Sequence, residues 1–207
     1  MKIIFDHSHG HVIENRVFCE AFVLPEGESE DFFLENGWLP SVQPPIYWYQ
    51  SQSIRIDSEK IVLNRKQRNT FTNVAYEIFD YDRQSEVDSF FFEFFVRKDL
   101  ELQELYQKNS EFFKLKVLSV SLKNEVVAYT RFVQFENSIL GIESSYKPNL
   151  PKHSLGINSI LFLSNYGKSQ NIRYTYIYEA YKDTFPHKFK ITGSEFWEGE
   201  KWVSTDI

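Results

Sequence analysis

The sequence predicts an α+β fold in which helices pack on a mixed β-sheet, and two observations support this prediction. Residues 114–144 contain three segments of alternating or β-branched residues that are joined by short polar turns. Directly afterwards the apolar period changes to that of a helix over residues 154–166, and it returns to two over residues 173–178. Strands and helices that follow one another in this way are typical of a sheet covered by helices.

The N-terminal part of the chain is expected to form a smaller unit. Residues 1–75 contain a proline-rich loop around Pro40, Pro44 and Pro45, and we place the boundary to the larger domain, residues 76–207, after this unit. The first element of the larger domain is a predicted helix from Ser85 to Asn109, whose apolar face includes Phe90, Phe91, Phe94 and Phe95. We expect the phenylalanine cluster of residues 90–95 to lie in the core.

Three strands are predicted next, over residues 114–121, 126–135 and 138–144, as an antiparallel meander. The following helix begins at Ser154, a residue type that favours the N-cap, and Gly167 is expected to end it. A strand over residues 173–178 and a hairpin that turns at Glu198, Gly199 and Glu200 complete the chain. The order helix, three-strand meander, helix, strand is that of a GNAT-type acyltransferase fold, an analogy that does not fix the function.

Composition excludes several classes of protein. The chain of 207 residues carries a formal charge of −6, which argues against a general nucleic-acid coat. Its one cysteine, Cys19, cannot form an internal disulfide or any all-cysteine metal site, and a low cysteine count suits the cytoplasm. The longest apolar run, residues 90–96, is interrupted by Glu93 and is far shorter than the ~18 residues that span a membrane. We therefore expect a cytoplasmic protein without a membrane partner.

Several segments, in order along the chain, resemble the arginyl-tRNA–protein transferases, especially their short bacterial relatives. The segments are Gly37-Trp38, Gln52–Ile56, Asn64–Arg68, Tyr146-x-Pro148, His153–Gly156, Tyr176–Tyr178, and a tail with Tyr181, Phe185, Lys188–Lys190, Glu195–Trp197 and Trp202. Leu39 and Pro40 stand where that family has two arginines, and Lys147 stands where it has aspartate. The resemblance implies an enzyme that moves an arginyl-type group from charged tRNA to the N-terminal amine of an acceptor protein, with no cofactor.

Such a reaction starts from an activated ester, so it needs positioning, amine deprotonation and oxyanion stabilisation rather than a metal or a covalent nucleophile. The sequence has no G-x-S-x-G motif and no phosphate-binding glycine loop. Two other functions stay open: an acyl-CoA-dependent N-acyltransferase of the same fold, and a non-catalytic descendant that binds peptide or RNA.

Basic residues and a helix start are the candidate binding groups. Arg65, Lys66 and Arg68 form the densest basic run and are candidates for tRNA phosphates, although a solvated helix start is the more usual explanation of such a run. His153, Ser154 and Gly156 open the later helix, where free N–H groups suit an anion or an ester oxygen. A plain capped helix is the alternative.

The candidate acceptor cleft lies between the third meander strand and the strand over residues 173–178. Tyr146 and Tyr176 are expected to line it, with Glu179 as the general base and Tyr178 as a positioning hydroxyl; alternating tyrosines that simply pack a sheet are the alternative. His7, His9 and His11 would share one face of a strand and have the chemistry of a metal site, but we expect a polar terminal strand and no structural metal.

Overall fold

The computed structural model describes residues 2–4, 12–13, 16–17, 22–41, 47–82, 85–97, 113–150, 154–179 and 186–205. Its helices are α1 (Glu30–Glu35), α2 (Arg65–Asn73), α3 (Ser85–Arg97) and α4 (Leu155–Ser169), with a 3-10 turn at Lys188–Lys190. Its strands are β1 (Lys2–Ile4), β2 (Val12–Ile13), β3 (Arg16–Val17), β4 (Phe22–Leu24), β5 (Trp38–Pro40), β6 (Trp48–Gln50), β7 (Ser53–Asp57), β8 (Val74–Asp80), β9 (Leu115–Leu122), β10 (Glu125–Gln134), β11 (Ser138–Tyr146), β12 (Tyr174–Glu179), β13 (Ser194–Trp197) and β14 (Trp202–Ser204).

A mixed eight-stranded sheet, in the order β14-β13-β7-β12-β11-β10-β9-β8, organises the larger part of the molecule. β9, β10 and β11 form the predicted antiparallel meander, and the turn between β9 and β10 places Lys123 and Asn124 at positive φ, as a tight hairpin requires. β11 then pairs in parallel with β12 after the crossover through α4. This arrangement confirms the predicted α+β fold of GNAT type.

The N-terminal residues contribute to all three sheets of the described residues, the smallest of which is the pair β2 and β3. β1, β4, β6 and β5 form a separate four-stranded sheet, on which α1 packs. β7, however, lies in the middle of the large sheet, between β12 and β13. β8 begins at Val74 and continues past residue 75. The expected boundary after residue 75 therefore stays a prediction, while part of the segment before it completes the large sheet.

Two helices cover the large sheet and make its core. Leu155, Phe162 and Leu163 of α4 are buried against residues such as Leu118 and Phe132 of the meander. α3 buries Val87 and Phe91 against Val117 and Tyr129. Because burying an apolar side chain contributes about 1.5–3 kcal/mol, these layers account for the close packing of both helices on the sheet.

Several boundaries differ from the prediction. α4 continues two residues beyond Gly167. That glycine allows close packing on the sheet, since an added Cβ would lie 3.0 Å from the Cδ1 atom of Ile139. The predicted helix after Ser85 is described only as far as Arg97, and residues 98–109 lie outside the described part. Phe91 is buried as predicted, whereas Phe92 is 51% exposed. Within the described residues, no helix is long and apolar enough to span a membrane.

Candidate functional site

The site begins where β11 and β12 separate. The two strands pair over three positions only, the last being Leu140 with Tyr176, although β11 continues to Tyr146 along β10. β12 has an irregularity beyond Tyr176, and Tyr178 adopts a φ of +58°. This non-glycine residue in the left-handed region lies just beyond the last pair between β12 and β11. The separation opens a cleft at the edge between the strands.

A cavity of about 750 Å³ fills this cleft. Its walls come from the second half of β11 and the residues after it, from the first turns of α4, and from Ile177, His187 and Lys188. Most of the α4 side chains in the wall are aliphatic, among them Leu155, Ile157, Ile160 and Leu163, while Glu143, Lys147, His187 and Lys188 supply charge or titratable nitrogen. The cavity therefore combines an apolar wall with a few polar groups, as binding sites for small groups generally do.

The N-terminus of α4 opens into this cavity. Ser154 is the N-cap residue, as predicted, but it has a left-handed backbone (φ 47°, ψ 48°) and its side chain does not cap the helix. Its Oγ instead accepts a hydrogen bond of 2.9 Å from Nζ of Lys66. Gly156 lies against the ring of Tyr146, where an added Cβ would be 3.2 Å from Cε1. The first N–H groups of a helix have no partner within it, so this end offers donors to an anion or a carbonyl oxygen.

The basic run lies beside the same helix start. Asn64 caps α2 in a capping box with Gln67, which fixes where the helix begins, and Arg65, Lys66 and Arg68 occupy its exposed first turn. The hydrogen bond from Lys66 to Ser154 joins this turn to the mouth of the cavity. Arg68 donates from Nη1 to the carbonyl of Leu63 at 2.8 Å. The structure thus brings Lys66 into contact with Ser154 at the start of α4, while Arg65 and Arg68 lie in the same exposed turn as Lys66.

Lys188 is a site residue that sequence analysis missed. Its Nζ donates to the carbonyl oxygens of Ile177 at 2.9 Å and Glu179 at 2.7 Å, both on β12. Burial lowers the pKa of Lys188 to about 8, partly offset by the negative charge of Glu179. Burial also lowers the pKa of the neighbouring His187. The sequence signal available was the K-F-K segment of the tail, which the resemblance included without assigning it a role.

The carboxylate in the wall, Glu143, belongs to a buried ion pair. Arg131, whose side chain is 3% exposed, donates from Nη1 to Glu143 at 2.8 Å and also pairs with Asp88 of α3. The guanidinium lies over the ring of Phe91, with 4.2 Å from Cζ to the ring centre. This network fixes α3 on one face of the sheet and orients a charged group of the cavity wall.

The predicted acceptor residues occupy different places. Tyr146 lines the cavity, as expected. The prediction for Tyr176 is wrong: this residue is 1% exposed, packs with Trp202 and the N-terminal residues, and does not line the cavity. The ring of Tyr178 packs against that same cluster rather than into the cavity, and burial raises its pKa. Glu179 ends β12 beside Lys188 and is half-buried, and it is not among the residues that line the cavity. His153 lies outside the described residues.

No metal site is found among the residues that the structure describes. Among those residues there is no group of three or more histidine, cysteine, aspartate or glutamate side chains placed to hold an ion. His7, His9 and His11 lie outside the described residues, so the interpretation of that segment stays a sequence prediction.

Comparison with known proteins supports the fold alone. No family model and no curated protein matches the chain. A conserved protein of unknown function from Bacteroides thetaiotaomicron superposes with a TM-score of 0.50 at 15% identity, over 70% of this chain and 58% of that one. The structure of L-PGS from Bacillus licheniformis gives a TM-score of 0.47 at 13% identity, over 73% of this chain and 51% of that one. A GCN5-related glucosamine N-acetyltransferase region of a fungal multi-domain β-N-acetylglucosaminidase gives 0.47 at 13% identity, over 84% and 22%. The chain spans less than three fifths of the length of each of these proteins, and its own strand order identifies the fold as GNAT-like.

Proposed function

We propose that the protein is an aminoacyltransferase that moves an aminoacyl group from charged tRNA to the N-terminal amine of an acceptor protein. The observation that carries the proposal is the cavity between β11 and β12, because the N-terminus of α4 opens into it and Lys66 joins it to the basic turn of α2. One continuous surface thus offers cations for a phosphate backbone and N–H donors for an ester.

The chemistry requires one bond to form and one to break. The acceptor amine attacks the ester carbonyl, a tetrahedral intermediate carries a negative oxygen, and the C–O bond to the terminal ribose of the tRNA then breaks. The N–H groups at the start of α4 are placed to stabilise the oxyanion. Glu179, at the end of β12, is the proposed base that accepts the proton of the amine, which is later delivered to the ribose oxygen.

The sequence resemblance implies that the transferred amino acid is arginine. Support for this finer assignment comes from the resemblance alone, since Glu143, the carboxylate in the cavity wall, already pairs with Arg131. The donor assay should therefore include tRNAs charged with arginine, with an acidic residue and with an aliphatic residue.

An acyl-CoA donor is the competing possibility for the same cleft. In acetyl-CoA users the loop before this helix has the pattern Q-x-x-G-x-G, whose small residues let a pyrophosphate approach the backbone. Gly156 occupies the fourth position, but the sixth is Asn158, which is 1% exposed within α4. The side chain of Asn158 is larger than the glycine of the pattern, so it hinders the approach of a pyrophosphate to the backbone at this position. This favours a donor other than acyl-CoA.

The test is a direct comparison of donors. Purified protein is incubated with acceptor peptides that differ in their N-terminal residue and with either labelled charged tRNA or labelled acetyl-CoA. We expect label from charged tRNA to appear at the α-amine of the peptide and none from acetyl-CoA. Transfer from acetyl-CoA alone would replace the proposal with an N-acetyltransferase. Transfer from neither donor, with tRNA or peptide still bound, would indicate a non-catalytic binding protein.

A further inference from the structure

Lys188 lies at the point where β12 stops pairing with β11. β11 and β12 stop pairing after Leu140 and Tyr176, and the ammonium of Lys188 then bonds to the carbonyls of Ile177 and Glu179. Lys188 also lines the cavity between the strands. We propose that Lys188 is a positioning residue of the transfer site, whose ammonium binds the backbone of β12 where the regular pairing of that strand is interrupted and so holds the end of β12 in place beside the cavity.

The need for such a partner follows from backbone chemistry. A strand that leaves its neighbour exposes carbonyl groups, and a buried carbonyl without a partner costs about as much free energy as a lost hydrogen bond. Between Tyr176 and Glu179 the pairing of β12 is interrupted toward both neighbouring strands, so another donor must serve these carbonyls. An ammonium has several N–H groups on a flexible stem, and its bonds to carbonyls are charge-assisted. Lys188 meets this requirement at 2.9 and 2.7 Å.

The same bonds hold the backbone of one residue of the cavity wall and of the proposed base. Ile177 is part of the cavity wall, and Glu179 is the proposed base. Holding the backbone of residue 179 sets where its carboxylate can reach, and a displacement of about 1 Å in an active site can cost ~100-fold in rate. This inference therefore rests on the proposed function for its kinetic consequence, while its structural consequence stands independently.

Other charged groups near Lys188 determine how it responds to pH. Glu179 on β12 favours the charged form of Lys188. His187, which precedes Lys188 in the chain, disfavours that charged form when the imidazole is protonated. Glu143 of β11, which pairs with Arg131, and Lys147 after β11 line the same cavity. With burial lowering the pKa to about 8, the ammonium loses its charge as pH rises through that value, and its bonds to the carbonyls weaken.

The test compares Lys188→Met, Lys188→Arg and the control Lys190→Met, which alters an exposed lysine of the same 3-10 turn. We expect Lys188→Met to lower kcat at least ~100-fold, with the KM for charged tRNA within about threefold of wild type. Lys188→Arg keeps a charged donor at every pH and should retain activity within about tenfold. Lys190→Met should match wild type.

The pH profile separates positioning from mere structural support. In wild type the rate should rise as the acceptor amine deprotonates and then fall above about pH 8, whereas in Lys188→Arg only the rise should remain. A falling limb that persists unchanged in Lys188→Arg, or wild-type kcat in Lys188→Met, would overturn the proposal.

A second measurement needs no activity. Amide hydrogen exchange over residues 174–179 should be at least ~10-fold faster in Lys188→Met than in wild type and unchanged in Lys190→Met. Unchanged exchange in Lys188→Met would refute the role of Lys188 even if the protein transferred nothing. Faster exchange without any transfer by wild type would refute the proposed function and leave the structural role of Lys188 supported.

Discussion

Gly37 lies where the N-terminal residues meet the last hairpin, and it adopts a φ of +78°. An added Cβ would be 2.3 Å from ring atoms of Trp197, so a side chain would meet both backbone strain and a clash. The carbonyl of Gly37 also accepts a hydrogen bond of 2.6 Å from Oγ of Ser53. We expect Gly37→Ala to lower the free energy of unfolding by about 2 kcal/mol or more, measured by urea denaturation.

Gly27 is the matched control for that substitution. It also has a positive φ, of +122°, but nothing lies within 4 Å of an added Cβ. Gly27→Ala should therefore show the backbone effect alone and cost less than Gly37→Ala. Equal losses for the two variants would mean that the contact with Trp197 contributes nothing.

Glu179 is the residue on which the proposed proton transfer depends. Glu179→Gln keeps the shape of the side chain and removes its basicity, so we expect transfer to fall by ~10²–10⁴-fold. The melting temperature and the affinity for tRNA should stay at their wild-type values, because the backbone carbonyl that Lys188 binds is unchanged. Single-turnover kinetics with charged tRNA measures the effect. A rate within a few-fold of wild type would leave positioning alone as the source of catalysis.

Individual side chains of the site were harder to predict than their strands. Side chains alternate between the two faces of a strand, and Tyr176 was expected on the face that lines the cleft. When both faces are buried, this alternation does not show which of them meets the cavity. The left-handed Tyr178 then breaks the alternation, and nothing in the residue type signals it. Lys188 escaped prediction because its partners are backbone carbonyls, which carry no sequence signal.

Two helix starts, those of α2 and α4, form the proposed tRNA-binding element. Lys66 and Ser154 join them, and Arg65 and Arg68 extend the positive surface on the exposed side of α2. We expect the double substitution Arg65→Glu and Arg68→Glu to weaken tRNA binding and to reduce the slope of log K against log salt by about 1.4, since each phosphate contact to a single strand contributes about 0.7. Filter binding over a salt series measures both quantities.

Lys168→Glu is the control for this experiment. Lys168 is exposed in the last turn of α4, 14 residues from Ser154, which corresponds to about 21 Å along the helix. The substitution Lys168→Glu changes the net charge by two but leaves both helix starts intact. The slope of log K against log salt should therefore stay at the wild-type value. A double variant that binds with the wild-type slope would remove α2 from the interface.

Elements with local signals were predicted well, and elements held by distant contacts were not. The meander and α4 follow from alternation, polar turns and a change of period within 60 residues. β7 was not assigned to the large sheet, because its partners, Tyr174–Glu179 and Ser194–Trp197, lie more than 100 residues away in the chain. The cavity was anticipated because Pro148 and Pro151 cannot donate to a sheet, which requires the chain to leave β11 near Tyr146.

At the scale of the whole molecule, a buried ionic network joins β7 to the strands on both sides. Arg55 of β7 donates from Nε and Nη2 to Glu195 of β13, each at 2.8 Å, and its guanidinium stacks on Tyr174 and Trp202. Lys60 also binds Glu195, at 2.7 Å. Asp57, which is fully buried, receives two hydrogen bonds from Arg173. These contacts connect segments that are more than 100 residues apart, so their loss should affect global stability.

The acid sensitivity of the fold follows from this network. Burial alone would raise the pKa of Asp57 and of Glu195, but hydrogen bonds from Arg173 to Asp57, and from Lys60 and Arg55 to Glu195, lower both pKa values below the ordinary 3.8 and 4.5. A carboxylate whose pKa is lower in the folded state stabilises the fold above its ordinary pKa, and this contribution is lost as pH falls through the folded value. We expect the free energy of unfolding to decrease below about pH 4.5, by up to roughly 1.4 kcal/mol per pH unit for each group.

Glu195→Gln tests which group is responsible. This substitution leaves Arg55 buried without its carboxylate, so at pH 7 it should cost about 3 kcal/mol or more. As pH falls below the ordinary pKa of 4.5, the difference from wild type should shrink because the unfolded wild-type chain then binds a proton at Glu195. Glu59→Gln is the matched control, because Glu59 reaches Arg173 only at 3.5 Å with a side chain that is 66% exposed. Exposed pairs of this kind contribute about 0–1 kcal/mol. Urea denaturation of the three proteins between pH 3 and 7 measures the effect, and a Glu195→Gln deficit that stays constant over this range would show that the carboxylate does not titrate with unfolding.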